Sequence, residues 1–154
     1  MNKYLLDTNL LVCLFDDDRS SKENKEKAKK ILTEKLREEG SQIFVTELIR
    51  YEILRGIEWD KLDNLQKVKK GLKDFPTLQI NQKVADIARN LYRFDKATYI
   101  RGGSSKNFDK YRFDAFHVAT AKVYGLQLLS LDTDIEKINR LCQKMEENYK
   151  PLPS

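Results

Sequence analysis

Cysteine is scarce in this chain: Cys13 and Cys142 are the only two. Two distant thiols make neither a disulfide framework nor a zinc-ligand cluster, so a reducing cytoplasm is the expected compartment. Long apolar runs are missing as well. The longest one near the start is broken by Asp7, Thr8 and Asn9 and followed by Asp16, Asp17 and Asp18, which excludes a signal-peptide core and a membrane span there. No Ser-His-Asp arrangement, cysteine nucleophile, Walker loop or zinc-ligand spacing is present. Gly102-Gly103 is too bare to cradle a phosphate and reads as a turn. Internal repeats and low-complexity tracts are also lacking.

What remains is a chain of 154 residues, 40% hydrophobic and 34% charged, the size of one domain with room for a core. A formal charge of +5 and a pI of about 9.1 favour a polyanionic partner. The lysines from Lys22 to Arg37 alternate with Glu23, Glu26 and Glu34 and read instead as a solvated helix face.

Short apolar segments alternate with amphipathic ones. Strands are expected at Tyr4–Leu6, Ile43–Val45, Leu78–Ile80 and Leu126–Ser130. Helices are expected behind an Asn9 cap, over the stripe Ala28, Ile31, Leu32 and Leu36, behind a Thr46 cap, over Leu62–Leu72, around Val84–Leu91, and over Asp114–Val123. A Thr133/Glu136 capping box introduces a last one. The polar stretch from Thr98 to Lys110 reads as a surface loop. Alternation of this kind implies right-handed βαβ units and a mostly parallel sheet, an α/β fold whose ligands bind at the carboxyl ends of the strands.

Acidic residues stand where apolar segments stop: Asp7, Glu52, Asp114 and Asp132. Each alone has an ordinary explanation. Asp7 suits a helix cap, Glu52 suits an ion pair with Arg55, and Asp114 suits a helix dipole. Glu47 competes with Glu52, but five residues at about 100° each separate them by about 140° around the helix. Glu52, between Ile49 and Ile53, is the inward choice. Asp132 is preferred to Asp134 because it stays at the strand end, while Asp134 has a place in the first helical turn. His117, three residues after Asp114, is assigned a supporting position. Gathered in one pocket, the acids would repel unless a proton or cation neutralised them. Hard oxygen donors of this kind suit Mg²⁺ or Mn²⁺, and such ions suit phosphodiester hydrolysis, with one or two metals engaged.

The blocks Leu5-Leu6-Asp7-Thr8-Asn9, Glu52-Ile53-Leu54-Arg55-Gly56, Asp114-Ala115-Phe116-His117-Val118-Ala119-Thr120-Ala121 and Ser130-Leu131-Asp132-Thr133-Asp134 occur in the order found in PIN-domain nucleases. The resemblance is closest to VapC-type toxins and spans nearly the whole chain. It implies a three-layer α/β/α fold with a mostly parallel sheet of four or five strands, and a single PIN domain over residues 1–154. Asp7, Glu52, Asp114 and Asp132 would line a Mg²⁺/Mn²⁺ site, with Asn9 and Ser130 supporting them. The implied activity is endoribonuclease cleavage leaving 5′-phosphate and 3′-hydroxyl ends. The implied assembly is a homodimer restrained by a cognate VapB-type antitoxin, in the cytoplasm and with no membrane role. The chain departs from the family at Ile135, where Phe usually stands, and in the length of the Thr98–Lys110 stretch. Two other readings of the same resemblance are a non-catalytic RNA-binding or assembly module and a housekeeping RNA-processing nuclease. Arg50, Arg55, Arg101, Lys106, Lys110 and Arg112 are candidate phosphate contacts.

Overall fold

Eleven elements follow one another in a computed structural model, which describes residues 2–101, 112–131 and 134–148, apart from the side chains of 99–101 and 134. They are β1 (Lys3–Leu6), α1 (Thr8–Phe15), α2 (Lys22–Leu36), β2 (Gln42–Thr46), α3 (Glu47–Arg55), α4 (Leu62–Leu72), β3 (Thr77–Leu78), α5 (Gln82–Arg101), α6 (Arg112–Tyr124), β4 (Gln127–Leu129) and α7 (Asp134–Asn148). Lys106, Lys110, Asp132 and Thr133 lie outside the described residues.

The four strands form one parallel sheet in the order β3-β2-β1-β4. Tyr4 and Leu5 pair with Ile43 and Phe44 on one side and with Gln127 and Leu128 on the other. The central strand is therefore covered on both edges and both faces, which is why its residues Tyr4, Leu5 and Leu6 are an unbroken buried run. Helices α1 to α4 pack around one core cluster of Leu10, Leu11, Leu14, Ile49, Ile53 and Val68 with the strands. Helices α5, α6 and α7 pack together around Val84, Ala88, Leu91, Val118, Ile138 and Met145. The result is the expected three-layer α/β/α architecture, with four strands. No helix among the described residues is long and apolar enough to cross a membrane.

Local chemistry places the elements. Ser21 Oγ accepts from Asn24 N–H to open α2, and Thr46 Oγ1 accepts from Ile49 N–H to open α3, as expected. Gly125 adopts φ +67 just past α6, a left-handed conformation that costs glycine little and ends the helix.

Three local expectations change. Helix α5 runs on to Arg101, so Thr98 to Arg101 are helical rather than loop. Thr98 Oγ1 bonds back to Phe94 O at 2.9 Å, which occupies a hydroxyl that would otherwise compete with the helix. Strand β3 is shifted to Thr77–Leu78, because Pro76 O accepts Val45 N–H and sets the pairing with β2. Helix α1 starts at Thr8, with Asp7 rather than Asn9 in the cap position.

Candidate active site

Pairing of β1 with β4 brings Leu6 beside Leu129, so the two strands release their next residues, Asp7 and Ser130, side by side at the carboxyl edge of the sheet. Asp7 N–H donates to Leu129 O at 2.9 Å and extends this pairing by one residue. Asp7 occupies the cap position of α1 with extended backbone (φ −72, ψ 155), yet its side chain makes no cap hydrogen bond. The ordinary explanation for an acid at that position therefore fails. Asp7 is only 4% exposed. Ser130 Oγ lies 2.8 Å from Asp7 Oδ2 and 3.1 Å from Asn9 Oδ1, one hydroxyl facing two acceptors. Asn9 Oδ1 also accepts Leu131 N–H at 3.1 Å. Asn9 thus ties the start of α1 to the end of β4 and holds Ser130 against Asp7.

The first turn of α6 brings Asp114, and its next turn brings His117. One potential donor atom from each of Asp7, Asp114 and His117 lies within 4.8 Å of the others. Two carboxylates so close repel by roughly 3 kcal/mol at an effective dielectric near 20. Burial pushes the Asp7 carboxyl above its ordinary range, against the opposing pull of His117, the Ser130 hydroxyl and the Thr8 backbone N–H. A buried acid in this position gains from any cation that replaces its lost water.

Glu52 enters from α3, on the opposite side of the sequence order. Its Oε1 accepts from Thr8 Oγ1 at 3.1 Å and is bonded to His117 Nε2. A carboxylate only accepts, so Nε2 carries a hydrogen toward Glu52. His117 is 1% exposed. Its Nδ1 is buried without a hydrogen-bond partner among the described residues. Buried polar atoms are rarely left so, and an imidazole that converges with two carboxylates suits a divalent cation as a borderline donor. Oxygen and nitrogen donors in this combination fit Mn²⁺ and are compatible with Mg²⁺.

The residues expected from sequence thus fall into three groups. Asp7, Asp114 and His117 converge, with Asn9 and Ser130 behind Asp7. Glu52 reaches the cluster through His117 and is not the ion-pair partner of Arg55, whose guanidinium lies over aromatic rings instead. Asp132 and the side chain of Asp134 are outside the described residues. Glu47 is solvent-exposed beside Arg50. Thr8 joins the candidate site in a way that sequence reasoning missed: its hydroxyl bonds a residue 44 positions away, and nothing in the local pattern separates it from a helix-starting threonine.

Residues 4–141 match the family model described as the PIN domain. No curated protein matches the chain. Among solved structures the chain is similar to VapBC2 from Rickettsia felis bound to a DNA fragment from their promoter. That match has 14% identity and a TM-score of 0.61 over 88% of this chain and 91% of the other. It is similar also to a toxin-antitoxin complex from Klebsiella pneumoniae, at 22% identity and TM-score 0.55 over 84% and 87% of the two chains. A third is DNA-bound VapBC from Salmonella typhimurium, at 15% identity and TM-score 0.51 over 82% and 83%. At these identities the likeness is one of fold.

Proposed function

The chain belongs to the PIN domain family, and from that premise we propose that it is a metal-dependent endoribonuclease of the VapC toxin type, working with Mg²⁺ or Mn²⁺. The observation that carries the reading is Asp7: a buried carboxylate, released from capping duty, converging with Asp114 and with an imidazole whose Nδ1 has no hydrogen-bond partner among the described residues. Asp7, Asp114 and His117 would hold the ion. Asp132, which follows β4 in the sequence, completes the acidic set expected from the family resemblance. A bound divalent ion supplies positive charge to a phosphodiester and makes water a usable nucleophile near neutral pH.

The chain's own residues do the positioning. The Ser130 hydroxyl donates to the Asp7 carboxylate and orients it, and Asn9 Oδ1 anchors the neighbouring Leu131 N–H. Glu52 fixes the direction of the His117 ring, and Thr8 fixes Glu52. Attack on the phosphorus with departure of the 3′-oxygen leaves a 5′-phosphate and a 3′-hydroxyl. The three solved relatives are toxin-antitoxin or VapBC complexes by description, which supports a VapB-type antitoxin as the partner of this chain. The same reading makes residues 1–154 a single PIN domain, cytoplasmic, and a homodimer.

The test is cleavage of a total-RNA pool by purified, antitoxin-free protein in Mg²⁺, Mn²⁺ or EDTA, beside an Asp7→Asn variant prepared identically. Discrete products that need metal and vanish in the variant establish the nuclease and reveal its target. Intact RNA from folded protein overturns it in favour of a binding module.

A further inference from the structure

Two aromatic side chains stand beside the acidic site with no place in the core. Tyr51, immediately before Glu52 on α3, is 54% exposed. Phe113, immediately before Asp114 on α6, meets it edge-on, with ring centroids 6.3 Å apart and planes at 66°. The Arg55 guanidinium lies 5.5 Å from the Tyr51 ring centre and 4.8 Å from that of Phe113. Arg112 lies 5.1 Å from the Phe113 ring on its own helix. Both arginines are exposed, and among the described residues neither pairs with a carboxylate.

An exposed aromatic such as Tyr51 costs solubility, and exposed arginines that lie over rings, with no acid partner among the described residues, keep their charge for something else. The combination of π-faces with exposed guanidinium groups is the chemistry that binds unstacked bases and their phosphates. Phe113 precedes His117 by four residues on α6 and so lies one turn away on the same face; α3 and α6 thus meet through Glu52–His117 and, one turn on, through Tyr51–Phe113, which puts the ring pair at the rim of the site. A base held there belongs to a nucleotide close to the phosphate under attack.

We propose that Tyr51 and Phe113, flanked by Arg55 and Arg112, form a stacking subsite that accepts an unpaired base of single-stranded RNA next to the cleavage position. This rests on the nuclease reading above for its substrate. Duplex RNA hides its base faces in its own stack and leaves only phosphates for the arginines. Unpaired segments, such as loops and single strands, are therefore the substrates this surface selects.

The experiment measures binding rather than cleavage. Asp7→Asn protein in EDTA is titrated into a labelled, short, random-sequence single-stranded RNA, and duplex RNA of the same composition is added as competitor. Tyr51→Ala is made in the same background, with Tyr51→Phe as the variant that keeps the ring and Phe113→Ala as a second probe. Circular dichroism verifies folding of each. Single strands should bind more tightly than duplex. Tyr51→Ala should weaken single-strand binding about 5- to 160-fold, as loss of one base stack does, while Tyr51→Phe restores it. Equal binding of the two RNA forms, no binding of either, or folded Tyr51→Ala and Phe113→Ala that both bind as the parent does would each overturn the subsite. Ring-dependent binding by a protein whose unmutated form cuts no RNA would instead retain the subsite and remove the nuclease. Metal-dependent cleavage together with ring-independent binding would remove the subsite alone.

Discussion

Asp7 costs the fold stability. Its carboxyl is raised above the ordinary range by burial, so keeping it ionised at neutral pH is unfavourable in the folded state. Asp7→Asn removes that cost and keeps an oxygen to accept from Ser130. The metal-free variant is expected to melt a few degrees higher than the parent. Divalent ions should then raise the melting temperature of the parent and leave the variant unmoved; scanning calorimetry with and without Mn²⁺ reads both effects, and a lower-melting variant would refute the account. His117 makes a different prediction. With Nε2 held by Glu52 and Nδ1 without a partner among the described residues, His117→Ala should weaken Mn²⁺ binding by roughly 10- to 100-fold. Electron paramagnetic resonance titration of free Mn²⁺ measures this without any turnover, and unchanged affinity would return the ring to a purely structural position.

Helix α4 contains a glycine where intrinsic propensity favours alanine by about 1 kcal/mol. A Cβ on Gly71 would stand 2.7 Å from ring carbons of Phe15, and that ring is itself packed on Phe75 with centroids 6.2 Å apart. Overpacking of this kind costs about 1–3 kcal/mol, which outweighs the propensity gain. Gly71→Ala is therefore expected to lower stability in urea unfolding, and adding Phe15→Leu should recover part of the loss. Gly56 has a related duty. From sequence it reads as a loose helix end, but its missing side chain makes room for the Arg19 guanidinium. That group bonds Asp16 and donates to Ile53 O at 2.5 Å, while Asn64 Nδ2 donates to Asp16 Oδ1 at 2.9 Å. The ends of α1, α3 and α4 are locked together there. Asp17, next in the chain, bridges Lys25 of α2 and Lys67 of α4, and hydrogen bonds from these two lysines hold its carboxyl down to about 2. Because that value is depressed, the bridge contributes fully above the ordinary carboxylate range and is lost as pH falls through about 2. An acid titration followed by circular dichroism should show Asp17→Asn losing less stability than the parent between about pH 4 and 2.

At the scale of the whole molecule, the sole tryptophan gives a readout of what covers the surface. Trp59 follows α3 and is 97% exposed, beside exposed Leu62 on α4. Emission from the isolated chain should match that of indole in water and shift little on denaturation, so unfolding is to be followed by far-ultraviolet circular dichroism. A blue-shifted emission that reverts on dilution would place Trp59 in a contact between copies of the chain.

Sequence alone was enough for the alternation of strands and helices, because apolar periodicity and capping residues act over a few positions; Thr46 and Gly125 do in space what their local context dictates. It was enough also to single out Asp7 and Asp114 as candidates, since a strand end and a helix start can be read locally. Only the tertiary structure joined Glu52 to His117 across 65 positions, set Thr8 on Glu52, and gave Gly56 and Gly71 their packing partners. It also decided that α5 continues through polar Thr98 to Arg101. The reason is physical. A local pattern decides which face of an element is apolar, but which polar groups meet is set by how α3 and α6 come together over the carboxyl edge of the sheet, a property of packing that no short window of residues contains.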